Sequence, residues 1–305
     1  MRRRPQIALL PDGRRLHLQD GPIDLVIEGC GARAAVEIAY AAAAETFTGL
    51  LDQLCDELPQ LRRRAAAGSP APNGVVARRM HAAVAPYADV HFITPMAAVA
   101  GAVAEEVLAA MTRAAPLDRA YVNNGGDIAL HLSPGQRFTV GLVASLAPPT
   151  LAGRTVVDAG SNVRGIATSG RQGRSFSLGI ADAVTVLGRT AAEADAAATM
   201  VANAVDLPGH PGILRVPACD IQPDSDLGER PVTRGVAALS PDEVTRALDA
   251  GAAYARELVS RGLIEGAALH LQGRMEIIAA PRAGPFEVLP TLAARPSPTE
   301  SLMNA

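Results

Sequence analysis

An α+β fold, with long helices packed on mostly antiparallel sheet, is what this sequence predicts. Three observations carry that reading. Strand-like segments repeatedly adjoin other strand-like segments, the helical stretches are long and Ala-rich, and the strict β-α-β alternation of a doubly wound sheet is missing. The 305 residues are enough for one large domain with a full core.

Taken in order, alternation at Leu16 and Leu18 and again over Asp24–Leu25–Val26–Ile27 marks two strands, joined by the turn Asp20–Gly21–Pro22. A helix is expected from about Arg33 to Leu58, stopped by Pro59, followed by the surface connection RRRAAAGSPAPNG (62–74). Further helices are expected over Val75–Val84 and Pro95–Thr112. In the second, Gly101 sits among small residues, where a helix-interior glycine costs about 1 kcal/mol relative to Ala, so some other segment is expected to approach its backbone closely.

After Ala120–Tyr121–Val122 comes VNNGGDI (122–128), a turn sequence. Ile128, Leu130 and Leu132 then alternate with Ala129, His131 and Ser133, and Phe138, Val140 and Leu142 repeat the pattern beyond Pro134–Gly135. This predicts a hairpin with one buried face and a solvent-facing His131. Strands are expected at Thr155–Asp158, Gly165–Ser169 and Ala183–Leu187. Capping-box sequences at Thr190–Glu193 and Ser240–Glu243 open helices reaching about Val205 and Leu258, and two strands near Ala267–Leu271 and Met275–Ala279 close a domain of residues 1–292. The tail 293–305 reads as disordered.

Composition narrows function. A net charge of −3 offers no basic excess for a phosphate backbone, so nucleic acid is not the expected partner. Aromatics are 3% of residues and Trp is absent, leaving Tyr40, Tyr87, Tyr121 and Phe176 as the main rings on which a ligand would stack. Cys30, Cys55 and Cys219 have neither disulfide nor zinc-knuckle spacing. The run IALL is too short for a signal core, and no uncharged stretch reaches the ~18 residues of a membrane span. A cytoplasmic protein with a small-molecule ligand, and a homo-oligomer as one arrangement open to it, is the expectation.

Asp195 and Thr199 stand four residues apart on one helix face, a pairing of carboxylate and hydroxyl that suits a hard cation such as Mg²⁺. The same spacing also fits an early-helix Asp with a Thr bonded back to a carbonyl, and residue types alone leave both open. The strand ending in Thr168–Ser169–Gly170 leads into RQGRSFSLGIADAVTV (171–186), whose Arg, Ser and Gly residues either bind phosphate or carboxylate or simply connect. DSDLGER (224–230) lacks the ligand pattern of a calcium loop and reads as a turn. The nucleotide-binding, serine-hydrolase and zinc-protease signatures are missing.

PMAAVAGAVAEEV (95–107), VNNGGDI, GIATSG (165–170), ADAVTV (181–186) and ADAAAT (194–199) occur in the order found in the ApbE-like superfamily, which the chain resembles. Its best-known members are FAD:protein FMN transferases, and SFSLGIADAVTV with PDSDLG resembles a separate branch more closely. The resemblance implies a T-fold-related architecture, with Mg²⁺ and FAD as cofactors. Matched by motif, it implies metal ligation by Asp195 and Thr199, a Gly101 backbone near the metal, and a flavin site from Asn124, Gly125, Gly126, Asp127, Thr168, Ser169 and Gly170. The pattern also departs from the transferases. Ala100–Gly101 with Glu105 replaces their Lys-Gly and following Asp, and Ser175–Asp182 stands where they carry His-x-x-Asp-Pro. Asp182 or Glu105 is then the expected base. A divergent flavinyl transferase, a hydrolase of a small cyclic metabolite and a non-catalytic binding protein all remain open.

Overall fold

The computed structural model describes residues 5–146, 149–280 and 286–288; the tail 293–305 lies outside them. Strands β1 (Gln6–Leu9), β2 (Leu16–Asp20) and β3 (Ile23–Cys30) form an antiparallel meander. Leu16, Leu18, Ile23, Leu25 and Ile27 are buried, on the period-2 face that the sequence marks as apolar.

The helix expected over 33–58 is broken in two. Helix α1 (Arg33–Phe47) ends at Thr48, whose amide and hydroxyl both bond back to Ala44 O, and Gly49 takes φ +84°. Helix α2 (Leu50–Leu61) starts at an angle of 41° and carries Pro59 inside its last turn instead of stopping before it. A proline there loses only one internal bond near a frayed end.

Helix α3 (Val75–Val84) is followed by a 3₁₀ turn at Pro95–Ala98 that runs into α4 (Val99–Ala114). The segment Pro95–Ala114 is long and apolar enough to cross a membrane, but here it is largely buried against other elements of the fold. Then come β4 (Arg119–Asn124), β5 (Asp127–Leu132), β6 (Arg137–Leu146), β7 (Pro149–Asp158), β8 (Gly165–Ser169) and β9 (Ala183–Gly188). Helix α5 (Ala191–Ala204) begins at Thr190, whose side chain accepts from Glu193 N. Strand β10 (Ile213–Pro217), the short α6 (Ala218–Ile221) and β11 (Pro231–Val236) form a small excursion with no clear alternation in the sequence. Helix α7 (Pro241–Ser260) has a full capping box from Ser240 and Glu243, and β12 (Gly266–Leu271), β13 (Arg274–Ala279) and β14 (Phe286–Val288) complete the chain.

One sheet of nine strands, ordered β1-β2-β3-β4-β5-β8-β9-β12-β13 and antiparallel at every junction, is the frame. Helices α1, α4, α5 and α7 lie across one face in that order, each over a pair of strands and each touching the next. The other face is covered at its centre by β6 and β7, which with β14 form a separate three-stranded sheet.

This corrects the hairpin expected between β5 and β6. β5 pairs with β4 across the NNGGD turn, register Asn124↔Asp127, and with β8 on its other side. β6 leaves for the second sheet. Both faces of β5 are therefore covered. Leu130 and Leu132 pack with Val157, Ile166 and Leu187 under the second sheet, joined by Phe138 and Val140. Ala129 faces the helices, and His131 is partly buried with its ring nitrogen on Leu117 O at 3.1 Å, not free in solvent.

The expected close approach at Gly101 is a helix crossing. A Cβ there would stand 2.2 Å from Ala191 O and 2.7 Å from Ala192 N, and a Cβ at Gly165 would stand 2.1 Å from Thr190 O. Helix α5 thus rests on the backbones of α4 and β8 at once. Gly101→Ala is expected to cost about 1–3 kcal/mol through overpacking, measured as a lowered urea midpoint; an unchanged midpoint would show that α5 can shift away freely.

Candidate functional site

The NNGGD turn, the Thr168–Ser169–Gly170 turn and the N-terminal half of α4 meet at one end of the sheet, because β5 and β8 pair with Ile128 opposite Ile166 and so bring Asp127 beside Thr168. Each side chain there is placed by a specific contact. Asn124 is buried and donates from Nδ2 to Ala100 O at 3.1 Å, tying the turn to α4. Gly126 N donates to Asn123 Oδ1 at 2.8 Å, closing a two-residue loop in which Gly125 (φ +67°) and Gly126 (φ +115°) both take positive φ. Asp127 Oδ1 accepts from Thr168 N at 3.3 Å, and the Thr168 hydroxyl meets that of Thr185 at 2.9 Å. Gly170 lies against Asp182 O, leaving no room for a side chain.

From α5, Asp195 Oδ2 accepts the Gly101 amide at 3.0 Å. The same carboxylate lies within the field of Asp127. Burial first, and the Asp127 charge second, hold Asp195 well above the usual carboxylate range, while burial pushes Asp127 up to about 7 against the pull of Thr168 N and the Arg174 charge. Two carboxylates this close titrate as a pair. As residues both are partly accessible, but burial is the first cause of both shifts, so their carboxyl groups lie in a largely desolvated setting. Thr199, one turn along α5, is also partly accessible, and its hydroxyl makes no hydrogen bond to a described residue. The bonded-back alternative for Thr199 therefore finds no counterpart here.

The two side chains expected to supply a base are placed otherwise. Glu105 Oε1 accepts from Ala192 N at 2.7 Å, capping the start of α5, and its Oε2 pairs with Arg79 at 2.9 Å. Asp182, 6% exposed, takes Arg171 and Gln172 on Oδ1 and Gln272 N on Oδ2, the last at 2.6 Å, with His270 Nδ1 at 3.8 Å. Every oxygen of both residues is engaged, which does not match a free base. Asp182 instead shapes the loop Gly170–Gly179, whose far end is held to α5 by Leu178 N on Asn203 Oδ1 at 2.9 Å. Neither the Arg79 partnership nor the Gln272 clamp has a sequence signal, since the partners lie 26 and 90 residues away.

Of the four rings considered for stacking, three serve the fold. Tyr87 is buried, Tyr40 OH lies between Gly29 N and Arg14 O, and Tyr121 packs edge-on to Phe138. Phe176, in the Gly170–Gly179 loop, is partly exposed and makes no ring contact with a described residue. Two cavities lie away from the acidic pair. One of about 220 Å³ is lined by Arg79, Glu105, His131, Arg164, Arg189 and Thr190, among others, and one of about 520 Å³ lies between the end of α2 and the start of α3. Ionisable groups and an unpaired hydroxyl converge at the acidic pair, which makes it the candidate site. Among the described residues no set of three His, Cys, Asp or Glu side chains gathers as a metal cage.

Two outcomes follow from this geometry. Glu105→Ala should lower stability by about 1.5–3 kcal/mol, the loss of charge-assisted bonds to Ala192 N and Arg79, read by urea denaturation; a stability equal to that of the parent would return Glu105 to the list of free acids. For Asp127, the folded carboxyl titrates near 7 and the unfolded one near 3.8. Between these pH values the folded chain binds more protons, so stability at this site falls as pH rises through the window. Asp127→Asn should flatten that fall in thermal melts between pH 5 and 8 without added cation, and an unaltered slope would remove the pair as its source.

A family model described as "AbpE bacteria" matches residues 7–277. Among curated relatives, the UPF0280 protein of Methanothrix thermoacetophila is 38% identical over 131 residues, covering 43% of this chain and 52% of the relative. The UPF0280 protein of Methanopyrus kandleri is 41% identical over 129 residues, covering 42% and 48%. The chain thus spans about half the length of the curated relatives it matches. A solved structure, the apo form of Pseudomonas stutzeri flavinyl transferase ApbE, aligns over 92% of this chain and 96% of its own at 11% identity and a TM-score of 0.41.

Proposed function

The chain belongs to the family described as AbpE bacteria, and on that premise we propose that it is an ApbE-like protein that binds a Mg²⁺-chelated, pyrophosphate-bearing ligand at the Asp127–Asp195 pair, with FAD as the ligand and flavinyl transfer as the reaction. The observation that carries the proposal is the pair itself. Two mutually repelling carboxylates are an arrangement that a divalent cation relieves, and the unpaired Thr199 hydroxyl one turn away is a further oxygen donor. Such a cation takes one or two protein carboxylates and completes its shell with water and phosphate oxygens, so two carboxylates with a hydroxyl are a donor set it accepts.

A bound Mg²⁺ supplies Lewis-acid neutralisation of pyrophosphate charge. The chain's own residues orient the parts. Gly101 N fixes the rotamer of Asp195, Thr168 N fixes that of Asp127, and Asn124 holds the turn against α4. Phe176, partly exposed in the loop that follows the Thr168–Ser169–Gly170 turn, is the ring assigned to a flavin face. The same reading takes a small-molecule ligand and a cytoplasmic setting.

One observation favours a second reading. Asp182 and Glu105 have no free oxygen, which supports ligand binding without group transfer on the same scaffold. The experiment that separates the two uses purified protein with FAD and Mg²⁺. At ligand about 100-fold above Kd, a rise in Tm of roughly 4 °C is expected for a chain of this length, together with a flavinylated Thr- or Ser-containing peptide by mass spectrometry. Asp195→Ala should abolish the Mg²⁺ dependence. A Tm shift with no product selects binding alone, and neither shift nor product sinks the flavin assignment.

A further inference from the structure

The loop Gly170–Gly179 carries Arg174 onto the NNGGD turn, where its charge reaches Asp127. The guanidinium rests on the backbone of the NNGGD turn so closely that a Cβ at Gly125 would meet its Nη2 at 1.7 Å. Gly125 at φ +67° is thus glycine for two reasons, its backbone conformation and the arginine lying on it. The positive charge of Arg174 acts on Asp127. Even so, Arg174 is largely exposed and forms no hydrogen bond or ion pair with a described residue.

Several other arginines among the described residues are engaged. Arg171 is taken by Asp182, Arg164 by the carbonyls of Ser161, Val163 and Ala159, and Arg79 by Glu105 and Glu106. Arg174, on the turn beside Asp127, keeps its donors unspent among the described residues. With both carboxylates ionised, the pair and this one guanidinium leave the site net negative. A divalent cation on the carboxylates makes it net positive, and the guanidinium then faces a cation instead of an unpaired anion. What satisfies both cations at once is an oxyanion between them, and the planar fork of an arginine matches two oxygens of a phosphate.

We propose that Arg174 grips the phosphate oxygens of the cation-bound ligand, making the site selective for phosphoanhydrides presented as their metal complex. This rests on the reading that the Asp127–Asp195 pair binds the cation. Arg174 supplies the phosphate contact from the stretch following the Thr168–Ser169–Gly170 turn, and Asp182, through Arg171 and Gln172, positions the loop that brings it there.

The test is calorimetric titration of the whole chain, first with MgCl₂ and then with inorganic pyrophosphate in excess Mg²⁺, comparing wild type, Arg174→Ala and Arg174→Lys. Arg174 is exposed, so neither variant disturbs the core. In Arg174→Ala, pyrophosphate binding should weaken about tenfold or more, the loss of a charge-assisted bidentate contact, while Mg²⁺ alone binds as well as before or more tightly. Arg174→Lys, which keeps charge but not the fork, should fall between. Pyrophosphate affinity unchanged in Arg174→Ala overturns the assignment while leaving the cation site standing. An equal loss of Mg²⁺ affinity overturns it as well, because Arg174 would then be supporting the pair and not the ligand. Wild-type protein that binds no Mg²⁺ defeats the underlying reading, and this one with it.

Discussion

The closeness of α5 to its surroundings is the constraint on which the rest depends. This Ala-rich helix lies between α4 and α7 and over β8 and β9, and at its start its backbone touches the backbones of Gly101 and Gly165. That distance admits no side chain at either glycine. It also delivers Asp195 to the Gly101 amide and Ala192 N to Glu105. The small residues are what let a charged pair form inside a helix layer, since larger ones would hold α5 too far off for Asp195 to face Asp127.

Electrostatics at the site is built from a deficit of compensation. Elsewhere in this neighbourhood charges are answered locally, as with Arg79 between Glu105 and Glu106 or Arg171 on Asp182. Asp127 and Asp195 each receive backbone N–H groups but no paired cation, and the nearest guanidinium stands free above the turn. A folded chain keeps such an imbalance at a cost to stability, and retaining it is a feature of binding sites more than of packing.

The two covers of the sheet explain why simple alternation misled. Ile128, Leu130 and Leu132 do share one face, but that face lies under β6 and β7, and the Ala129 and His131 face lies under helices. Hydrophobic period identifies a strand and the residues that share a side. It does not say whether the smaller residues of the other side meet water or a helix, because Ala and a hydrogen-bonded His suit both.

Much was legible in the residues themselves. Period-2 and period-3.6 patterns placed most strands and helices, the capping residues Thr190 and Ser240 marked two helix starts, and adjoining strands without β-α-β alternation predicted antiparallel sheet. The motif order pointed to the family, and NNGGD announced its turn. These are local properties, set by steric and hydrogen-bonding preferences within a few residues. Tertiary structure alone decided that Glu105 and Asp182 spend their oxygens on Ala192, Arg79, Arg171 and Gln272, that Asp127 and Asp195, 68 positions apart in sequence, share one field, and that Arg174 lies on Gly125. A carboxylate's type gives its chemistry, but its partners and its burial are set by where strand pairing and helix packing bring distant segments together, and the electrostatics of the site depends on both.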